Sequence, residues 1–135
     1  MTGFFDEPPR IEQPIVITRD YGGNANQYAS QLGYLNRNHR KVEIRGICES
    51  GCALALGAEN VCVGKKASVG FHYAYDERKG KVLPQFTDEF YSKIPEHIYS
   101  EVRPYLRKDV WSMSRLNYHQ LVNLGIPACG DRGAF

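Results

Sequence analysis

Short apolar runs alternate with segments of helical periodicity along the first half of the chain. The β-branched run PIVIT (14–18) predicts a buried strand that ends at the turn signal RDYGGNAN. Apolar residues then recur at helical spacing, which predicts an amphipathic helix over 24–35. The alternating segment VEIRGI (42–47) predicts the next strand, and the small and apolar residues of CESGCALALGAEN (48–60) predict a helix packed closely against a sheet.

Two further strands are predicted after residue 60. They are VCV (61–63) and ASVGFHYAY (67–75), and the polar connector DERKGK (76–81) follows them. Beyond the connector the periodicity is helical. Strands that alternate with helices in this order predict an α/β fold with a parallel sheet and right-handed crossovers.

Capping residues mark three helices in the second half. Thr87, which two acids follow, predicts a helix N-cap. Pro95 predicts the first position of a second helix. Asn117 and Gly125 predict the start and the end of the last helix, in NYHQLVNL.

Composition and charge exclude several classes of protein. With 42% hydrophobic and 24% charged residues over 135 positions, we expect a single globular domain at 14–135. Pro8 and Pro9 predict that residues 1–13 form an irregular leader. The net charge of +2, with both signs interspersed, does not indicate nucleic-acid binding. No apolar run approaches the roughly 18–20 residues of a membrane span. The acids and prolines of MTGFFDEPPRIEQ do not match a signal peptide, so a cytoplasmic location is the default expectation.

The chemistry of the chain centres on Ser50. It lies where a predicted strand leads through a Ser-Gly step into a predicted helix, close to unpaired backbone N–H groups that would stabilise an oxyanion. His72 ends the strand ASVGFH and is the candidate general base. Gly22 and Gly23 follow the first strand at the same sheet edge, where their N–H groups could face a substrate carbonyl. The alternative is that Ser50 caps the helix and has no chemical role.

The four cysteines leave two interpretations open. Cys48, Cys52, Cys62 and Cys129 allow two disulfides in an oxidising compartment, or four free thiols in the cytosol. Their spacing matches no CxxC zinc pattern, so we expect neither a metal site nor another cofactor. As a free thiol, Cys52 is a second candidate nucleophile.

The order and spacing of these motifs resemble a known family of proteases. The matching stretches are IVITRDYGG (15–23), VEIRGICESGCALAL (42–56), ASVGFH (67–72) and NYHQLVNLGI (117–126). They resemble the Clp protease proteolytic subunit and, more closely, its small, divergent periplasmic and phage-type serine protease homologues, within the crotonase superfamily. The resemblance implies a Clp-protease/crotonase-like β-α-β spiral with a mostly parallel sheet, truncated by one strand and one helix at its N-terminus.

The resemblance also implies roles for individual residues. Ser50 would be the nucleophile, His72 the general base, and the N–H groups of Gly23 and Gly51 the oxyanion hole of a serine hydrolase that cleaves peptides or proteins. The family places an Asp shortly before the final helix, but VWSMSRLN holds no acid, so Asp109 is the nearest candidate for the third catalytic residue. A homo-oligomer is expected, and the resemblance is compatible with the periplasm as well as the cytoplasm.

Two other functions fit the same fold. With an incomplete triad, the chain could be a scaffold or assembly module that uses TDEFYSKIPEHIYSEV (87–102) as its interface. A crotonase-like enzyme acting on acyl thioesters would also use two backbone N–H donors, but it would need no pair of serine and histidine. The expected enzyme is the serine hydrolase.

Overall fold

A five-stranded sheet is the centre of the computed structural model, which describes residues 3–5, 13–106 and 112–130. The strands in chain order are β1 (Ile15–Asp20), β2 (Lys41–Glu49), β3 (Asn60–Val63), β4 (Ser68–Phe71), β5 (Tyr75–Asp76), β6 (Lys81–Val82) and β7 (Ser114–Asn117). The α-helices are α1 (Ala25–Arg37), α2 (Pro84–Tyr91), α3 (Glu96–Val102) and α4 (Tyr118–Asn123). Two 3₁₀-helices cover Ser50–Gly57, which we call the Ser50 helix, and Arg103–Tyr105.

The long strand β2 organises the sheet. It pairs with β1 along one edge, while along the other edge its first half pairs with β3 and its second half with β4. All three neighbours run parallel to β2, and β7 closes the sheet antiparallel to β4. The expectation of an α/β fold with a mostly parallel sheet is therefore confirmed. β7 has no counterpart among the predicted strands, because it has four residues and buries only Leu116.

The helix α1 confirms the predicted amphipathic helix, but it begins one residue later and ends two residues later. The Asn24 side chain accepts a hydrogen bond from the backbone N–H of Gln27, which caps the first turn. One face of α1 is buried, and this face comprises Tyr28, Gln31, Leu32 and Leu35. The helix contacts the Ser50 helix, which also contacts β2 and β4. The Ser50 helix is buried from residue 51 to residue 56, and it is a 3₁₀-helix where an ordinary helix was expected.

Two predicted boundaries in the second half are wrong. The strand from 67 to 75 ends at Phe71, and Tyr75 belongs to a separate hairpin of β5 and β6. Thr87 does not cap a helix, because α2 already begins at Pro84. The Thr87 hydroxyl is instead buried, accepting from the N–H of Ala74 at 2.9 Å and donating to the carbonyl of Leu83 at 2.7 Å. It thereby ties the segment after His72 to α2.

The last two predicted helices are present. α3 begins at Glu96, directly after Pro95 at the cap position. Asn117 and Gln120 form a reciprocal capping box at the start of α4. Gly125, with a φ of +99°, follows the helix in the left-handed conformation that glycine adopts most easily.

All four cysteines are paired. One disulfide joins Cys48 to Cys52 across Ser50, and we call it the turn disulfide. The other joins Cys62 to Cys129, and we call it the tail disulfide. The four cysteines are therefore half-cystines and not free thiols. The pairing removes Cys52 as a free thiol nucleophile.

Most of the predicted leader lies outside the described residues. Its described part includes Phe4, which is buried with its ring 4.9 Å from the ring of Tyr28. The N–H groups of Phe4 and Phe5 both donate to the Gln31 side chain on α1. Across the described ranges, no helix combines the length and the apolar character needed to cross a membrane.

Candidate active site

Ser50 and His72 meet at the carboxyl end of two parallel strands. Ser50 follows β2 directly and His72 follows β4 directly. These strands are neighbours, with Glu49 opposite Gly70 in register, so their ends lie side by side. The Ser50 Oγ lies 2.8 Å from the Nε2 of His72. The structure thus brings together the two residues that the sequence singled out.

The second ring nitrogen of His72 is held by the main chain. Its Nδ1 lies 2.6 Å from the carbonyl oxygen of Tyr73. A carbonyl oxygen only accepts hydrogen bonds, so Nδ1 must carry the proton. In the neutral ring Nε2 is then unprotonated and accepts the hydrogen bond from the Ser50 hydroxyl. This is the tautomer that a general base for Ser50 requires.

The backbone at Ser50 has an unusual conformation. Its φ is +61°, in the left-handed region that residues other than glycine rarely adopt. Such conformations persist only where the surrounding structure imposes them, and they are frequent at functional sites. Here the turn disulfide joins the last residues of β2 to the first turn of the Ser50 helix, and both of its cysteines are fully buried. The side chain of Ser50 remains partly exposed.

The glycine loop after β1 approaches Ser50 closely. A Cβ added at Gly22 would lie 2.5 Å from the Cβ of Ser50, so only glycine leaves room for this approach. The N–H of Gly22 donates to Asp20 Oδ1 at 2.9 Å and is not available to a substrate. Gly23 lies beside it, and none of the hydrogen bonds found in the described part of the chain uses the Gly23 N–H. Of the two glycines, Gly23 is therefore the better donor for an oxyanion.

The second expected donor, Gly51, occupies the first turn of the Ser50 helix. The first N–H groups of a helix have no acceptor within the helix. Gly51 and Gly23 both line one cavity together with Ser50 and His72. The four residues that the resemblance placed at the site are therefore neighbours in space.

This cavity has a volume of about 350 Å³ and an apolar wall that the sequence patterns did not predict. The wall consists of Ala74, Tyr75, Leu83, Phe86, Phe90 and Tyr91. Phe86 and Phe90 are four residues apart on α2 and stack with their ring centroids 6.4 Å apart. Among the described residues that line the cavity there is no Asp, Glu, Lys or Arg. The sequence signal for this wall was the pair of aromatic residues at helical spacing.

Tyr91 connects this wall to the histidine. Its ring contacts Phe71 at 5.2 Å between centroids, and its hydroxyl is 3.5 Å from the carbonyl oxygen of His72. Burial raises the pKa of Tyr91 well above its usual value, so its hydroxyl stays protonated at neutral pH. The backbone that follows the imidazole is therefore held by two contacts, that of Tyr91 with the His72 carbonyl and that of Thr87 with Ala74.

The third catalytic residue suggested by the sequence, Asp109, lies outside the described residues. Within the described part of the chain, no carboxylate bonds to His72. The nearest acid in sequence to Ser50 is Glu49, which is buried and accepts from Nε of Arg115 at 2.9 Å. Glu49 therefore joins the end of β2 to β7.

No group of three or more histidine, cysteine or acidic side chains in the described ranges could hold a metal ion. No protein-family model matches the chain, and no curated protein matches it. Its function is therefore inferred from the geometry of the site and from the motifs of the sequence.

Proposed function

We propose that this chain is a serine hydrolase in which Ser50 is the nucleophile and His72 the general base. One observation carries the proposal: the Ser50 hydroxyl lies 2.8 Å from a histidine nitrogen whose partner nitrogen is held by the Tyr73 carbonyl. A nucleophile, a base and a group that orients the base are thus in one chain of hydrogen bonds, which is the arrangement of activated serine in hydrolases.

The acylation step moves one proton. The Ser50 Oγ attacks the substrate carbonyl carbon while its proton passes to Nε2 of His72, and the carbonyl π electrons move to the oxygen. The N–H groups of Gly23 and Gly51 donate to this oxyanion. When the tetrahedral intermediate collapses, the bond to the leaving group breaks. The leaving group takes the proton from Nε2, and the acyl group remains as an ester on Ser50.

Deacylation reverses the proton path. A water molecule attacks the ester carbonyl and gives a proton to His72 Nε2, and the same two N–H groups hold the second oxyanion. Collapse breaks the bond to Ser50 Oγ, which recovers its proton from Nε2. The products are a carboxylic acid and the free enzyme.

The orienting group in this mechanism is a main-chain carbonyl. In a triad an Asp fixes the tautomer of the histidine and stabilises the imidazolium that forms. The Tyr73 carbonyl performs the first of these tasks. A neutral acceptor stabilises the imidazolium less than a carboxylate would, so we expect turnover to be slower than that of a complete triad.

The fold supports a Clp-protease/crotonase-like spiral as a further part of the proposal. The long strand β2 pairs with two shorter strands along the same edge, with β3 along its first half and with β4 along its second half. Ser50 and His72 follow the ends of β2 and β4. From the resemblance we also propose a peptide or protein substrate and a homo-oligomer. The uncharged, aromatic wall of the cavity favours an apolar group next to the scissile carbonyl.

A fluorophosphonate probe tests the proposal, because it forms a covalent adduct only with an activated serine. We expect one adduct, mapped by peptide mass spectrometry to Ser50, and its loss in Ser50→Ala and His72→Ala. The matched controls are Ser92→Ala and His97→Ala, two exposed residues of the same types that are outside the cavity, and both variants should label like the wild type. Folded wild-type protein that gives no adduct would instead support the scaffold interpretation.

A further inference from the structure

A buried polar pair lies behind the candidate oxyanion hole. The Tyr28 hydroxyl on α1 donates to Oδ1 of Asp20, the last residue of β1, at 2.7 Å. Tyr28 is fully buried, and Asp20 is 6% exposed. Neither residue lines the cavity, so neither can touch a substrate there. Each of them, however, contacts one of the two loops that supply the hole.

Asp20 organises the glycine loop. The same Oδ1 that accepts from Tyr28 also accepts from the N–H of Gly22 at 2.9 Å. This bond closes a turn at the carboxyl end of β1 and occupies the Gly22 donor. Because the Gly22 N–H is already used, the next N–H that the loop can offer is that of Gly23, which lines the cavity.

Tyr28 supports the other loop. A Cβ added at Gly51 would lie 2.5 Å from Cδ2 of the Tyr28 ring, so the ring packs directly against the Gly51 backbone. Burial and, after it, the bond to Asp20 raise the pKa of Tyr28. Its hydroxyl therefore stays protonated and continues to donate. One side chain thus touches Gly51 with its ring and reaches the Gly22 turn through Asp20.

The second oxygen of Asp20 is unfavourable for stability. Its Oδ2 is buried and has no hydrogen-bond partner among the described residues. A buried carboxylate oxygen without a partner lowers stability, because it has lost its hydration and gained nothing in return. The acid at this position is therefore better explained by what Oδ1 holds in place than by its contribution to folding.

We propose that Asp20 and Tyr28 are positioning residues that hold the two oxyanion donors, Gly23 and Gly51, at a fixed separation. This inference rests on the proposed serine hydrolase function. The chain of contacts runs from Gly51 to the Tyr28 ring, through the hydroxyl to Asp20 Oδ1, and on to the Gly22–Gly23 turn. Donors held in advance cost no reorganisation when the negative charge develops in the transition state.

The test separates positioning from folding by comparing two tyrosine variants. Tyr28→Phe removes one hydroxyl and keeps the ring against Gly51. Tyr99→Phe is the matched control, because the Tyr99 hydroxyl likewise donates to an Asp, Asp88, at 2.6 Å and lies outside the cavity. Turnover of p-nitrophenyl butyrate gives kcat and KM, and phenylboronic acid, which forms a tetrahedral adduct on an active serine, reports on the oxyanion hole through its Ki.

In Tyr28→Phe we expect kcat to fall about tenfold, the scale of one hydrogen bond, with KM unchanged. The Ki of phenylboronic acid should rise by the same factor. Tyr99→Phe should change neither constant, although both variants lose a similar hydrogen bond. A purely structural Tyr28 would give two variants with equal kinetics, which would overturn the inference.

Variants of Asp20 keep the inference testable even where Tyr28→Phe folds poorly. Asp20→Asn retains an oxygen that can accept both bonds and should keep most of the activity. Asp20→Ala should lower kcat by roughly 10² to 10³, the usual loss on removal of one oxyanion donor. Equal activity of the two Asp20 variants contradicts the inference. A wild type that neither labels at Ser50 nor hydrolyses the ester overturns the proposed function, whereas an active wild type with unaffected variants overturns only the positioning role.

Discussion

The close approach of Gly22 to Ser50 yields the sharpest prediction. In Gly22→Ala the new Cβ would lie 2.5 Å from the Cβ of Ser50, whereas ordinary contacts begin at 3.4 Å. The two groups must therefore separate by about 1 Å. Because a misplacement of about 1 Å can cost roughly 10² in rate, we expect kcat/KM and the rate of fluorophosphonate labelling at Ser50 to fall about a hundredfold.

A second glycine separates this effect from backbone strain. Gly22 has a φ of +96°, and Gly125 has a φ of +99° with no atom within 4 Å of an added Cβ. Alanine at either position adopts a left-handed conformation and lowers the free energy of unfolding by roughly 1–2 kcal/mol. Gly125→Ala should therefore lose stability but keep the full labelling rate.

The free energy of unfolding and the labelling rate are both measured for Gly22→Ala and for Gly125→Ala. Urea unfolding gives the free energies, and labelling below the unfolding transition gives the rates. If Gly22→Ala labels as fast as Gly125→Ala at equal folded fraction, the close approach of Gly22 does not hold Ser50 in its reactive position, and the prediction is wrong. If both Gly22→Ala and Gly125→Ala lose labelling, the cause is the lower stability of the chain rather than the position of Ser50.

Two further predictions concern the disulfides and an exposed ion pair. Replacing both cysteines of the tail disulfide by alanine should lower the free energy of unfolding by about 4 kcal/mol, against about 2 kcal/mol for the turn disulfide, because the loops close over separations of 67 and 4 residues. Removal of the turn disulfide should slow the labelling of Ser50, whereas removal of the tail disulfide should not. A larger loss of stability without the turn disulfide, or slower labelling only without the tail disulfide, would contradict this prediction. The Arg103 guanidinium, and after it the Tyr99 hydroxyl, lower the pKa of Asp88 in the folded protein. The stabilisation that Asp88 provides is therefore fully present above the unfolded pKa of about 3.9, and it disappears as the pH falls through the folded pKa. Asp88→Asn should thus lower stability at pH 7 by roughly 0.2–1 kcal/mol and leave it unchanged at strongly acidic pH, and an equal loss at both pH values in urea unfolding would refute the assignment.

The elements defined by local signals could be predicted from the sequence. β1, α1, β2 and α4 follow from apolar periodicity and capping residues, both of which are properties of neighbouring positions. Ser50 and His72 could be placed at strand ends for the same reason, and parallel strands bring such ends to one edge of the sheet. The signals failed where an element was short, as in β7, or where tertiary contacts moved a boundary, as at Thr87.

The sequence by itself determined the order of the longer strands and helices and the residues with chemical potential, because a pattern of burial and a reactive side chain are both encoded locally. Only the tertiary structure decided which cysteines pair, since four cysteines allow three pairings. It also decided that the Tyr73 carbonyl, rather than an acid, orients His72, and that Asp20 and Tyr28 join the two glycine loops. The contacts of Asp20 and Tyr28 with the two glycine loops depend on how β1, α1 and the Ser50 helix pack together, and no single segment of the chain contains that information.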